Sequence, residues 1–216
     1  MYSYKYIFFD VADTLLYKQG LHDNIAGVLA ESDIHIDVVT IRRQHKMISE
    51  IIAFPIKTSR AFYQDFNRLF LISLGIGPNQ AIMDGIYQRC HNLTWERFPD
   101  TNIITQLPVP VGIISNWDES LELLLKKYFS NDFFRIISSS RIKSAKPDPA
   151  IFQAAIKDLD CEPQNILYIG DAIRLDVLPA EEVGIKVILI DRFDNYPYYN
   201  GHKINSLIEV KKLLHF

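Results

Sequence analysis

Residues 6–10, Tyr6-Ile7-Phe8-Phe9-Asp10, form an unbroken apolar and aromatic run that stops at a carboxylate. The run is too short for a stable helix, and it lacks the alternation of a half-solvated strand. It therefore predicts a strand buried on both faces, the kind found in parallel sheets covered by helices. Similar runs recur at 111–114, 136–137, 166–169 and 187–190, all rich in Ile, Val, Phe or Tyr. Helical spacing separates the later ones: Leu121, Leu124, Leu125 and Tyr128 mark one apolar face, and Ile151, Ala154, Ala155 and Leu159 another. Alternating strands and helices predict an α/β fold with a doubly wound parallel sheet. Residues 204–214 read as a final amphipathic helix.

The stretch from about 17 to 97 has a different rhythm. Leu21, Ile25, Val28 and Leu29 fall on one helical face, as do Met47, Ile48, Ile51 and Ile52, then Phe62, Phe66, Leu69 and Phe70, then Ile82, Ile86 and Cys90. Ala53-Phe54-Pro55 and Gly75-Ile76-Gly77-Pro78 punctuate them as turns. The expected organisation is an α/β core of residues 1–16 and 98–216 with an inserted bundle of about four helices at 17–97.

Composition narrows the function classes. A net charge of −3 over 216 residues leaves no basic footprint for nucleic acid. No apolar stretch reaches the ~20 residues of a membrane span, and the start lacks the pattern of a signal peptide. Cys90 and Cys161 stand far apart without metal-ligand spacing, which fits a reduced, cytoplasmic chain with both as small buried hydrophobes. The six histidines share no spacing.

Chemistry gathers at the strand ends. The first strand delivers Asp10 and, four residues on, Thr14. The second delivers Ser115 and Asn116, which also read as a helix N-cap leading into Trp117. Lys146 follows in Ser144-Ala145-Lys146-Pro147-Asp148-Pro149. The strand at 166–169 delivers Gly170-Asp171, with Asp176 five residues later. A parallel sheet brings such ends to one edge. Carboxylates, a hydroxyl, an ammonium and free N–H groups together suit phosphoryl transfer. A carboxylate attacks phosphorus, a hard divalent cation bridges phosphate oxygens, and donors offset the remaining charge.

In this order the motifs resemble those of the haloacid dehalogenase-like (HAD) hydrolase superfamily, in the branch with an α-helical cap between the first two motifs. The resemblance implies a Rossmann-like core, Asp10 as nucleophile, and Mg²⁺ bound by Asp10, the Ala12 carbonyl, Asp171 and Asp176. It implies that Ser115 and the Asn116 backbone hold the phosphoryl group and that Lys146 neutralises it. The implied partner is a small phosphorylated metabolite, with neither nucleic acid nor membrane, and the chain is a monomer or homodimer.

Ala12 departs from the pattern. Family phosphatases carry a second Asp there, which protonates the leaving group and then activates water. Three readings follow: a specialised or impaired phosphatase, a HAD-like module that binds phospho-ligands or a protein without turnover, and carbon–phosphorus cleavage assisted by a cap lysine. The last resembles phosphonoacetaldehyde hydrolases, with Lys46 and Lys57 as candidates. Asp13 is the neighbouring carboxylate and the candidate substitute, but a shift of one residue redirects a side chain. Gly170-Asp171 argues against a metal-free 2-haloacid dehalogenase.

Overall fold

In the computed structural model, residues 4–55, 58–130 and 132–214 are described. The chain folds into two compact units, Met1–Tyr17 with Arg97–Phe216, and Lys18–Glu96.

The first unit is built on a six-stranded sheet. Its strands are β1 (Tyr6–Phe9), β4 (Val111–Ser115), β5 (Arg135–Ser138), β6 (Ile166–Gly170), β7 (Lys186–Ile190) and β8 (Lys203–Ile204). They lie in the order β5-β4-β1-β6-β7-β8, and every pairing is parallel. From β1 the chain steps to one side for β4 and β5, then to the other for β6, β7 and β8. Such a reversal opens a crevice at the carboxyl ends of the strands. The unbroken apolar runs have their physical explanation here: β1, β4 and β6 are buried along almost their whole length. Phe8, Ile114, Ile151, Phe152, Ala155 and Tyr168 form one continuous apolar cluster. Gly112 leaves room for the Phe8 ring, since a Cβ there would come within 2.5 Å of it.

The second unit holds four helices among the described residues: α1 (Leu21–Ala30), α2 (Val38–Ile51), α3 (Arg60–Ser73) and α4 (Gln80–Cys90). Side-chain caps start three of them. Asp37 accepts from Thr40 N at 2.9 Å, Ser59 from Phe62 N at 3.2 Å, and Asn79 from Ile82 N at 3.2 Å. Ile25, Leu29, Ile41, Phe70, Leu71 and Ile86 make an apolar core of their own. Two short strands, β2 (Leu16–Lys18) and β3 (Trp95–Arg97), pair as a separate sheet that periodicity did not reveal.

Four local expectations are corrected. Residues 204–214 are not one helix: Ile204 belongs to β8, a 3₁₀ turn follows at Leu207–Glu209, and only Val210–Leu214 is α-helical. The short strand wins because Asp191 N donates to Ile204 O at 2.8 Å. Ser115 and Asn116 do not cap a helix, which starts only at Leu121. Leu159 lies beyond the helix Ala150–Ile156, and Cys161 is only half-buried. Among the described residues no helix is long and apolar enough to cross a membrane.

Candidate active site

Register decides which groups meet. Phe9 pairs with Ile113 on one side and Ile169 on the other. Asp10, Ser115 and Asp171 therefore leave the sheet within one residue of the same level. Asp10 N donates to Ile169 O at 2.9 Å, which pins the start of the loop to the end of β6. The loop then folds tightly: Leu15 N and Leu16 N both donate to Val11 O at 2.9 Å, and Asp13 N donates to Leu16 O at 2.7 Å.

Asp10 is buried, and its Oδ1 accepts from Ser115 Oγ at 3.0 Å and from Lys146 Nζ at 2.6 Å. Lys146 also donates to Asp176 Oδ1 at 2.6 Å. One ammonium thus serves two carboxylates, all three groups buried. Burial works against ionisation of Asp10 and, with Asp176 nearby, pushes its pKa up despite the opposing pull of Lys146. Burial also disfavours charge on Lys146, but Asp10 and Asp176 outweigh it and hold the ammonium pKa above its ordinary value.

Asp171 completes a group in which Asp10, Asp171 and Asp176 each offer an oxygen within 4.8 Å of the others. The trio Asp10–Lys146–Asp176 carries a net negative charge when ionised, and Asp171 adds a third carboxyl. A hard divalent cation with oxygen ligands fits this donor set. Asp176 projects from a π-helical turn, Ile173–Val177, in which Asp176 N and Val177 N both donate to Ala172 O at 3.1 Å. Its carboxylate packs against Gly170, where a Cβ would stand 2.4 Å from Asp176 Cγ. The Gly before Asp171 is therefore a spatial requirement.

The other expected site residues divide. Asn116 uses its side chain on the Lys146 backbone: Nδ2 donates to Lys146 O at 2.9 Å, and Oδ1 accepts from Lys146 N at 2.7 Å. This fork holds the lysine loop. Thr14 is fully buried, and its Oγ1 has no hydrogen-bond partner among the described residues. Its carbonyl accepts from Arg192 Nη2 at 2.7 Å, and Arg192 in turn grips Asp100 through both terminal nitrogens at 2.8 and 3.0 Å. Ala12 forms a lone bridge with Leu16 and offers only main-chain atoms for chemistry. Asp13 is exposed, in a left-handed conformation (φ 54°), and stands outside the carboxylate group. Lys46 lies on α2, and Lys57 lies outside the described residues.

Sequence reasoning missed Tyr168, which reads there simply as part of an apolar strand. Its hydroxyl donates to Asp176 Oδ1 at 2.6 Å and accepts from Lys146 Nζ at 3.2 Å. Burial, with Asp176 and Asp10 close by, pushes the phenol pKa well up and keeps the proton in place. A tyrosine inside a doubly buried strand was itself the signal, since a buried phenol needs a partner. Arg192 and Asp100 were missed as well, and no local pattern marks them.

Comparison with known proteins finds likeness over part of the chain in sequence and over nearly all of it in fold. A family described as haloacid dehalogenase-like hydrolase matches residues 97–190, which hold Ser115, Lys146, Asp171 and Asp176. The chain thus resembles haloacid dehalogenase-like hydrolases over a segment that is less than half of its length. The zebrafish (Danio rerio) haloacid dehalogenase-like hydrolase domain-containing protein 3 is 33% identical over 110 residues, 49% of this chain and 46% of that protein. The chain thus spans about half the length of that relative. The glyceraldehyde 3-phosphate phosphatase of Methanothermobacter thermautotrophicus is 23% identical over 205 residues, covering 87% of this chain and 85% of that one. Among solved structures, magnesium-bound YfnB of Bacillus subtilis, described as a HAD-hydrolase, superposes with a TM-score of 0.67 at 17% identity over 99% of both chains. At that identity the likeness concerns the fold. The six-stranded parallel sheet has the Rossmann-like fold of these structural neighbours.

Proposed function

We propose that the chain is a Mg²⁺-dependent phosphatase of a small phosphorylated metabolite, with Asp10 as nucleophile. The observation that carries this reading is the Asp10 carboxylate, held by Ser115 Oγ at 3.0 Å and Lys146 Nζ at 2.6 Å inside a group of three buried carboxyls. An oxygen of Asp10 attacks phosphorus, the bond to the leaving oxygen breaks, and an aspartyl phosphate forms. Water then attacks that phosphorus and returns Asp10 and inorganic phosphate. Ser115 Oγ and Lys146 Nζ, already on Asp10, are placed to hold the transferred oxygens. Asp10, Asp171, Asp176 and the Ala12 carbonyl would hold the cation, which when bound offsets the negative charge of site and substrate. The helical unit, Lys18–Glu96, takes the part of the cap that selects the substrate.

Position 12 sets the substrate class. No side chain there protonates the leaving oxygen, a contribution worth about 10²–10⁴-fold in such enzymes. The reading therefore favours substrates whose leaving group needs little help, such as acyl phosphates, over sugar phosphates. The resemblance to a glyceraldehyde 3-phosphate phosphatase makes that triose phosphate the natural comparison within a panel. Phosphate release with Mg²⁺ is measured for wild type and Asp10→Asn. Activity in wild type alone supports the mechanism, and equal rates in both reject it.

Ala12 also supports a second reading, a phospho-ligand-binding or protein-binding module that turns nothing over, because a fold does not dictate an activity. Binding of Mg²⁺ and phosphate without turnover of any panel member favours that reading.

A further inference from the structure

We propose that Tyr168 is a positioning residue for the cation site, its hydroxyl holding the Asp176 carboxylate in the orientation that binds a divalent ion. The inference rests on the cation reading above and concerns a residue outside the ligand set. Tyr168 is fully buried in the middle of β6, where its neighbours Leu167 and Ile169 are aliphatic. Its ring is already anchored, edge-on to Phe152 at 5.0 Å between centroids. Packing alone is met by a phenylalanine, so the hydroxyl is the part that asks for an explanation. A hydroxyl buried without a partner is destabilising.

The hydroxyl has one proton and three neighbours: Asp176 Oδ1 at 2.6 Å, Lys146 Nζ at 3.2 Å and Ile114 O at 3.3 Å. The proton goes to the nearest and only anionic acceptor, Asp176, and a lone pair receives Lys146. Asp176 is then held by three donors. Oδ1 takes Tyr168 and Lys146, and Oδ2 takes Ala172 N at 3.0 Å. The Ala172 contact ties the carboxylate to its own turn, and the Tyr168 contact ties it to the sheet. Without the phenol, Asp176 keeps the Ala172 contact of its own turn and the ammonium of Lys146, a loop residue shared with Asp10. The carboxylate is then free to turn onto the ammonium and away from the position it shares with Asp10 and Asp171. Groups that orient metal ligands in this way typically change affinity by about 10- to 100-fold when removed.

The test is the Mn²⁺ affinity of the full chain without substrate, read from the free-ion signal in electron paramagnetic resonance. Tyr168→Phe, its fold checked by circular dichroism, is expected to bind Mn²⁺ about 10- to 100-fold more weakly than wild type. Equal affinity in a folded variant overturns the proposal. Should Tyr168→Phe fail to fold, a ring-fluorinated tyrosine at 168 keeps ring and hydroxyl and strengthens the donor. A shift in Mn²⁺ affinity then supports the proposal, and an unchanged affinity overturns it. Absence of Mn²⁺ binding by wild type is a different failure, since it removes the cation reading and this inference with it.

Discussion

Lys146 sits 2.6 Å from both Asp10 and Asp176, and Asn116 holds its backbone on both sides. The positive charge that the proposed nucleophile, Asp10, would need beside it is thus built into the fold. Under the proposed mechanism position 12 supplies no proton to the leaving group, because Ala12 has none to give and Asp13 is exposed outside the carboxylate group. Ala12→Asp is the residue-scale experiment. For a sugar phosphate the rate is expected to rise toward the about 10²–10⁴-fold that general acid–base catalysis supplies. For an acyl phosphate, which leaves unaided, the gain is expected to be small. Steady-state kinetics on one substrate of each kind read the contrast. Equal gains would mean that the new carboxylate acts other than as an acid, and no gain on either would favour the binding-module reading.

At the scale of the element, the π-helical turn after β6 does what an ordinary helical turn would not. It starts at Ile173, just after Asp171 and Ala172, and brings Asp176 back over Gly170. Such turns concentrate at functional sites. The close approach makes Gly170→Ala a sharp test. The added methyl meets a carboxylate already fixed by Lys146, Tyr168 and Ala172, so neither side yields cheaply. Overpacking of this kind costs about 1–3 kcal/mol, expected as a lower urea midpoint. Mn²⁺ affinity is expected to fall with it. An unchanged midpoint and affinity would show that the turn relaxes freely.

The helical unit adds a molecule-scale prediction about acid. Its His22 and His45 rings lie 5.3 Å apart, and His45 also packs on Phe66 and Phe70. Burial, helped by Arg42 and opposed by Asp23, lowers the His22 pKa to about 4. Burial, with His22, Lys46 and Lys18, lowers that of His45 to about 3. Both folded values lie below the ordinary 6.5, so the unfolded chain takes up protons first as pH falls. Stability from this pair is full above about pH 6.5 and declines as pH drops toward 4 and 3. Both residues are half-buried rather than sealed from water, so a loss on the order of 1–2 kcal/mol is expected between pH 7 and 5. Urea melts at the two pH values, with His45→Leu as the flattened control, measure it. A wild-type midpoint that does not move with pH would refute the assignment.

Much of this architecture was legible in the chain. Unbroken runs such as 6–9 and 166–169 can be satisfied only inside a covered parallel sheet, and the helical spacing of Ile25, Val28 and Leu29 fits only an amphipathic helix. The order of Asp10, Ser115, Lys146 and Asp171 was equally readable, because their motifs follow one another along the chain in a recognisable sequence. Residues 204–214 misled because their apolar spacing suits a helix, whereas the pairing of Lys203 and Ile204 with β7 leaves no periodic pattern in so short a strand. Tyr168 showed only that a buried phenol needs a partner, not which one, and no local pattern marked Arg192 or Asp100. Their partners lie 8, 178 and 106 positions away, in Asp176, Thr14 and Ser206.

Periodicity and residue type, which are local properties, determined the elements and named the reactive groups. Tertiary structure alone decided that one ammonium would bridge two carboxylates, that a phenol would bond to the second, and that two histidines on different helices would share a half-buried contact. Those outcomes depend on strand register and on the depth at which each charge is buried, and neither is written in any single stretch of chain.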